Sequence, residues 1–227
     1  MSPALRIARH EWKLVLREPR FLLPFLVTPL ILIGFQAFAV YLRPPGADWE
    51  TLHLARILLL MLAVVAPSLS VPLSADSFAG ERERNTLEIL LCLPVSPGSL
   101  FWGKVLGILP FPLLIGWTGQ AFMAAILGAK GIWAPGFGAD LARAMAMTPC
   151  LSLFLCALTT WLSLISESVR GAAQLSSLVM VGVLFAVMLL GNGLFVSGAL
   201  FSGFAAALLV GAWTCLRLAR RRFQRLA

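Results

Sequence analysis

Charged residues are scarce in this sequence. Asp, Glu, Lys and Arg make up 12% of the 227 residues, hydrophobic residues make up 59%, and the mean hydropathy is +0.90. A typical soluble domain has roughly 25% charged residues, so this composition excludes a soluble globular protein. It predicts an all-α integral membrane protein with a single transmembrane domain over residues 1–227, because the apolar spans and their connections leave no length for a separate soluble domain.

Cysteine and histidine are also rare. The four cysteines stand singly in or beside apolar runs, without the paired spacing of a zinc site or a disulfide framework. We interpret them as small apolar side chains. The two histidines, His10 and His53, are predicted on opposite sides of the membrane, which excludes a shared metal or catalytic dyad within one chain. We therefore expect no catalytic residue, no metal site and no cofactor in this chain.

Ionisable residues are absent from the middle of every long apolar run. Proton- and ion-coupled carriers generally need such groups as relays, so this form of coupling is excluded. The stretch Gly98–Val105 matches a phosphate-binding loop except at its last position, where Val105 replaces the Ser or Thr that would bind magnesium. We interpret Lys104 as the cytoplasmic start of a span, and any ATP that is used must be bound by another polypeptide.

The apolar runs themselves predict six transmembrane helices. Residues 171–216 form a stretch of 46 residues without a formal charge. One helix of that length would measure about 69 Å, whereas the hydrocarbon core is about 30 Å thick. The stretch therefore predicts a hairpin that turns at residues 191–193. The predicted spans cover residues 21–42, 57–75, 105–128, 144–166, 171–190 and 194–216.

The distribution of basic residues predicts the orientation of these spans. With six spans, 14 of the 18 Lys and Arg residues fall on one side of the membrane and four on the other. Because cytoplasmic loops carry the excess of positive charge, both termini are predicted to be cytoplasmic.

Residues 3–18 predict an amphipathic helix ahead of the first span. Basic residues recur at helical spacing on one face, while Leu5, Ala8, Val15 and Leu16 occupy the other. Such a helix lies in the membrane interface, with its tryptophan at the headgroups and its basic face toward anionic lipid or a partner. The alternative is a basic lead that only orients the first span. The residues that define the interfacial helix are Arg6, Arg9, Trp12, Lys13 and Arg17.

Residues 76–104 carry seven charges between two long apolar runs, so this stretch is expected in water, against a surface. Asn85 is predicted to cap a short helix by accepting from the backbone N–H of Glu88, and Pro94 is predicted to end that helix. The helix is apolar almost all round, so it must enter the membrane interface or dock on another protein, with the charged run 81–84 as the docking rim. The alternative is an ordinary solvated loop.

This stretch resembles the permease subunits of the ATP-binding-cassette type-2 transporter family. The matching features are the acidic-basic run 81–84, the segment 85–88 with Asn85 in place of the usual Gly, a leucine pair, Pro94–Val95 and Gly103–Lys104. The resemblance implies a cytoplasmic coupling helix between spans two and three that docks on a separate nucleotide-binding subunit. The implied partner-binding residues are Glu81, Arg82, Glu83, Arg84, Asn85, Thr86, Leu87, Glu88, Leu90, Leu91 and Pro94.

The resemblance also implies a function and a set of partners. The chain would be the membrane permease subunit of an ATP-driven exporter in the bacterial plasma (inner) membrane, with ATP and Mg on the partner subunit. A second permease chain, identical or different, and the lipid bilayer would be further partners, and nucleic acid would not be one. The short outer segment before the last span also suits the membrane subunit of a haem exporter for cytochrome c maturation. A non-transporting membrane scaffold that recruits a soluble partner is another alternative.

Overall fold

The computed structural model describes residues 2–17, 19–42, 49–86, 92, 95–131, 136–166 and 168–226, without the side chains of residues 19–22, 24–26, 28, 49–52, 192 and 226. Every regular element within these ranges is helical, and the ranges contain no strand. This finding confirms the all-α architecture that the composition predicts.

The helices follow one another with short connections, and prolines mark several of the breaks. Pro67 lies inside the second long helical stretch, and Pro97 and Pro110 stand at the start of helices, where a missing backbone N–H costs nothing. In chain order the elements are α1 (Pro3–Arg17), α2 (Pro19–Tyr41), α3 (Trp49–Ser68), α4 (Ser70–Ala75), a π-helical turn (Asp76–Gly80), α5 (Glu81–Glu83), α6 (Pro97–Ile108), α7 (Pro110–Ala129), α8 (Phe137–Ile165), α9 (Val169–Val196) and α10 (Gly198–Leu226).

Five helical stretches among the described residues are long and apolar enough to cross a membrane. They correspond to the predicted spans two to six. The first predicted span, residues 21–42, coincides with α2, whose shorter stretch Pro29–Tyr41 is apolar. The count of six spans therefore stays a prediction. The stretches are His53–Glu83, Pro97–Ala129, Phe137–Ile165, Val169–Gly191 and Gly198–Arg225.

The predicted turn at residues 191–193 is wrong, because α9 runs straight through these residues. A Cβ at Gly191 would lie 3.2 Å from Leu60 of α3, so this glycine allows close packing between helices. The chain turns at Ser197, whose backbone is extended. The Ser197 hydroxyl accepts from the backbone N–H of Leu200 at 3.4 Å and so begins α10.

The predicted segment 76–104 is helical at both of its ends. Residues 76–83 continue the helical stretch of span two, and residues 97–104 already belong to α6. The helices continue past their first charges because those charges are neutralised by contacts within the chain. The stretch Gly98–Val105 is likewise helical rather than a phosphate-binding loop.

The connections between predicted spans one and two and between predicted spans three and four are shorter than the span bounds imply, because their charged residues extend helices. Arg56 belongs to α3, and Asp140 and Arg143 belong to α8. Arg56 Nε lies 2.8 Å from the Asp140 carboxylate, and Arg143 Nη1 lies 3.7 Å from it. Arg143 also donates to the backbone carbonyl of Phe195 in α9. This cluster joins α3, α8 and α9 at the predicted outer end.

Helix α8 occupies the centre of the fold, where it packs against α3, α4, α7, α9 and α10. Two groups of buried apolar residues surround it. One includes Leu59, Met147 and Leu151 toward the predicted outer side. The other includes Phe78, Phe101 and other residues toward the predicted inner side. The second group includes Phe78, which belongs to the predicted coupling segment 76–104.

Candidate functional site

The site is the end of the second helical stretch, residues 76–86, which we call the arm. Its first part is a π-helical turn, a geometry that is rare and often found at functional positions. A Cβ at Gly80 would overlap the carboxylate of Asp76, so a larger residue here would displace that side chain. The space is taken by the Asp76 carboxylate, which accepts from Arg84 at 3.1 Å across the turn.

Asn85 ends the arm through a left-handed backbone, with φ of 55°. The backbone N–H of Thr86 donates to the carbonyl of Glu81 at 2.9 Å, and that of Asn85 donates to the carbonyl of Arg82 at 3.1 Å. These two bonds form a Schellman motif, in which the left-handed residue is usually Gly and sometimes Asn. The sequence predicts Asn85 as the cap of a following helix, whereas the structure shows it ending the preceding one.

A serine hydroxyl of α8 holds the first part of the arm. Ser163 Oγ donates to the carbonyl of Ala75 at 2.7 Å and accepts from the backbone N–H of Ala79 at 2.9 Å. Ser163 and Ala79 are both fully buried. Because the π-helical turn disturbs the regular bonding of the backbone, this hydroxyl satisfies groups that would otherwise be buried without partners.

Two charges of the arm meet the ends of neighbouring helices. Arg82 donates to the carbonyls of Ser166 and Leu164 at 3.0 and 3.2 Å, at the carboxyl end of α8. Glu83 accepts from the backbone N–H of Val169 at 2.8 Å, at the amino end of α9. Both contacts are favourable, because the carboxyl end of a helix carries partial negative charge and the amino end carries partial positive charge.

A third charge belongs to a cluster that we call the triad, Glu11, Glu81 and Lys104, in which the lysine is buried and the two carboxylates are partly exposed. The Lys104 side chain is 3% exposed, and its Nζ lies 2.5 Å from Oε1 of Glu81 and 3.1 Å from Oε1 of Glu11. Nζ also lies 5.7 Å from the ring centre of Phe78. The triad joins α1, α5 and α6. The Lys104 ammonium forms an ion pair with each of the two carboxylates, and these pairs offset the cost of burying its charge.

An aromatic cluster lies beneath the arm. The rings of Phe78, Phe101 and Phe223 are fully buried, with centroids between 5.3 and 6.1 Å apart. These residues come from the π-helical turn, α6 and the end of α10. Offset and edge-to-face ring contacts at such distances add to the stabilisation from burial. The arm therefore rests on a rigid apolar base.

Helix α1 packs lengthwise against α6 along two glycines. A Cβ at Gly103 would lie 2.7 Å from Cβ of Ile7, and a Cβ at Gly107 would lie 2.8 Å from Cβ of Glu11. Trp12 Nε1 also donates to the carbonyl of Leu106 at 3.3 Å. We call this contact the α1–α6 seam. The predicted basic face remains outside it, since the side chains of Arg6, Arg9, Lys13 and Arg17 are exposed.

The predicted partner-binding residues thus divide into two groups. Residues 81–86 lie in the arm, where all four charges of the run 81–84 are bonded within the chain. Their role in docking stays a prediction. The rest lie outside the described residues: Leu87, Glu88, Leu90, Leu91 and Pro94. Cys92, in the same segment, is exposed.

Sequence reasoning missed several residues that shape the site. The sequence indicates Lys104 only as the start of a span, and it gives no reason to select Glu11 or Ser163. One signal was available: Gly103 and Gly107 are four residues apart, a spacing typical of close helix packing. The pairing of Lys104 with Glu11 and Glu81 has no comparable signal, because the three residues are far apart in the sequence.

No group of three His, Cys, Asp or Glu residues that could hold a metal ion occurs in the part of the chain that the structure describes. The arm contacts α6, α8 and α9 through the hydrogen bonds and ion pairs described above.

Comparison with known proteins gives the family. A search of curated proteins found no match. The sequence model of the family described as "ABC-2 family transporter protein" matches residues 5–207, which is most of the chain and includes α1, the arm and α6. The protein is therefore a multi-pass membrane protein that belongs to the ABC-2 transporter family.

Proposed function

We propose that this chain is the permease subunit of an ATP-driven exporter and that residues 85–93 dock on a separate ATP-binding subunit. The family match over residues 5–207 carries the proposal. Members of the family normally work with an ATP-binding subunit and with the membrane. ATP and Mg would be bound by that subunit, and this chain would form the translocation path, paired with a second permease chain in the bacterial inner membrane with both termini in the cytoplasm.

The construction of the arm supports this role. A segment that receives force from a partner must be joined firmly to the spans that it moves. The arm continues span two without a loop, and Ser163 and Arg82 fix it to α8. Glu83 joins it to α9, and the triad joins it to α6. Movement of residues 85–93 would therefore reach several spans together.

Purification of the chain from its native membranes tests this proposal. The expected companion is a polypeptide that binds and hydrolyses ATP, and whose ATPase activity rises in the complex. A companion without nucleotide binding would contradict the proposal and favour the scaffold alternative.

The substitution Leu90→Arg tests the docking segment itself. A buried guanidinium in an apolar interface is costly, so we expect loss of ATPase stimulation with normal membrane insertion. Full stimulation in this variant would contradict docking through residues 85–93. Charge reversal at Glu81 or Glu83 is a less selective test, because both side chains also hold the fold together.

A further inference from the structure

We propose that Lys104 is a positioning residue that makes α1, the arm and α6 move as one unit, so that a push on residues 85–93 also moves the amino-terminal helix. This inference rests on the proposed function, because it concerns the route by which force from the ATP-binding subunit spreads. It assigns to α1 a part in coupling that a lead sequence or a lipid anchor would not have.

The position of the Lys104 ammonium carries the inference. The side chain is 3% exposed, and its two carboxylate partners come from different elements, Glu11 from α1 and Glu81 from α5. Separation of any one of these elements would leave a buried charge with one partner fewer. Because an unpaired buried charge is strongly unfavourable, the three elements are expected to stay together while the protein moves.

The α1–α6 seam points to the same unit through a different kind of contact. Ile7 and Glu11 lie directly on the backbone of α6 at Gly103 and Gly107, so α1 has no room to slide or rotate there. The atoms at this seam are already in close contact, so even a small overlap would force neighbouring groups to shift. The seam fixes α1 on α6, and the triad then adds the arm.

Polar groups of the arm and of α1 also share one cavity. This cavity of about 170 Å³ is lined by Glu11, Asp76, Glu81, Arg84 and Lys104 together with apolar residues. Behind Lys104 stands Phe78, part of the buried aromatic cluster. Lys104 thus lies between the buried aromatic cluster and this charged cavity.

The first experiment compares Lys104→Met and Lys104→Arg in the complex of the permease with its co-purified ATP-binding subunit. We expect Lys104→Met to bind the subunit but to lose the stimulation of ATPase activity, down to the level of the subunit alone. Lys104→Arg restores a cation with two carboxylate partners, so it is expected to recover stimulation. Lys130→Met, a lysine that donates to the carbonyl of Tyr41 at 2.8 Å, is the control and should couple normally.

The stimulation is measured per folded complex, which separates positioning from stability. If Lys104→Met gives less complex but each complex is stimulated as in the wild type, Lys104 is merely structural and the inference is overturned. If the wild-type chain itself neither binds nor stimulates an ATPase, it is the proposed function that fails.

A cross-link provides a test that leaves the triad intact. In a chain whose four native cysteines are replaced, Ile7→Cys and Gly103→Cys place two thiols across the α1–α6 seam, where a small shift allows a disulfide. A unit that moves together should keep full ATPase stimulation when this disulfide forms. The reduced double variant is the control for the overlap that a Cβ at Gly103 introduces. A loss of stimulation that appears when the disulfide forms and that a reductant reverses would overturn the inference.

Discussion

Arg82, in the arm, donates to the carbonyl oxygen of Ser166 at 3.0 Å, at the carboxyl end of α8. The last carbonyls of a helix have no backbone N–H partner within that helix. The second amino group of Arg82 donates to the carbonyl of Leu164 at 3.2 Å. One guanidinium therefore satisfies two carbonyls of a helix end and joins it to the arm. This contact shows that the charged run belongs to the internal structure of the protein as well as to its predicted docking surface.

The first prediction concerns Arg82→Gln. The variant loses two charged hydrogen bonds at a partly buried helix end, so the free energy of unfolding should fall by about 2 kcal/mol. Chemical or thermal unfolding in detergent micelles measures this change. Arg221→Gln, an exposed arginine in α10, is the control and should change stability little. Equal stability of both variants would mean that the contact at α8 contributes nothing.

The second prediction concerns the left-handed residue Asn85. Asn85→Gly should keep or raise stability, because glycine adopts a positive φ without steric cost. Asn85→Val should lower stability by about 1 to 2 kcal/mol, since a β-branched side chain is strained at φ of 55°. The unfolding midpoints of the two variants measure this difference in stability. The opposite order of stability would show that Asn85 is held by its side chain rather than by its backbone.

The third prediction tests the α1–α6 seam with two glycines of the same helix. Gly103→Ala places a Cβ against Ile7 and against the backbone carbonyl of Ala4, and should cost roughly 1 to 3 kcal/mol. Gly98→Ala meets only the Arg220 side chain at 3.9 Å and should be neutral or slightly stabilising. Unfolding midpoints measure both variants, and limited proteolysis shows whether α1 has detached. Similar behaviour of the two variants would contradict close packing at Gly103.

Much of the architecture could be predicted from the sequence, because the lipid environment limits the options. Long apolar runs in a chain with few charges must form helices. This reasoning identified the predicted spans two to six and the exposed basic face of α1. It failed at residues 191–193, because glycines are typical both of turns and of close helix packing, and here the chain stays helical. It placed the end of span two at residue 75, and the structure shows that the helical stretch continues beyond that point to Glu83.

The site was harder to predict, because its contacts join distant parts of the chain. The acidic-basic run 81–84 was found, but its partners were not. They are Lys104 and the ends of α8 and α9, which only the folded arrangement brings close. The left-handed backbone at Asn85 shows the same limit. The residue type was noted as unusual for the family, while its place at the end of a Schellman motif depends on carbonyls of the preceding turn.

The fourth prediction tests docking by the segment after the arm, and Cys92 provides a native probe because it is exposed. In a chain that keeps Cys92 and has Cys150, Cys156 and Cys215 replaced by Ala, the reaction of Cys92 with a membrane-impermeant maleimide is followed over time. We expect fast labelling in the purified permease and slow labelling in the isolated complex with its ATP-binding subunit. An equally fast reaction in both samples would contradict the account that this segment joins the permease to its ATPase.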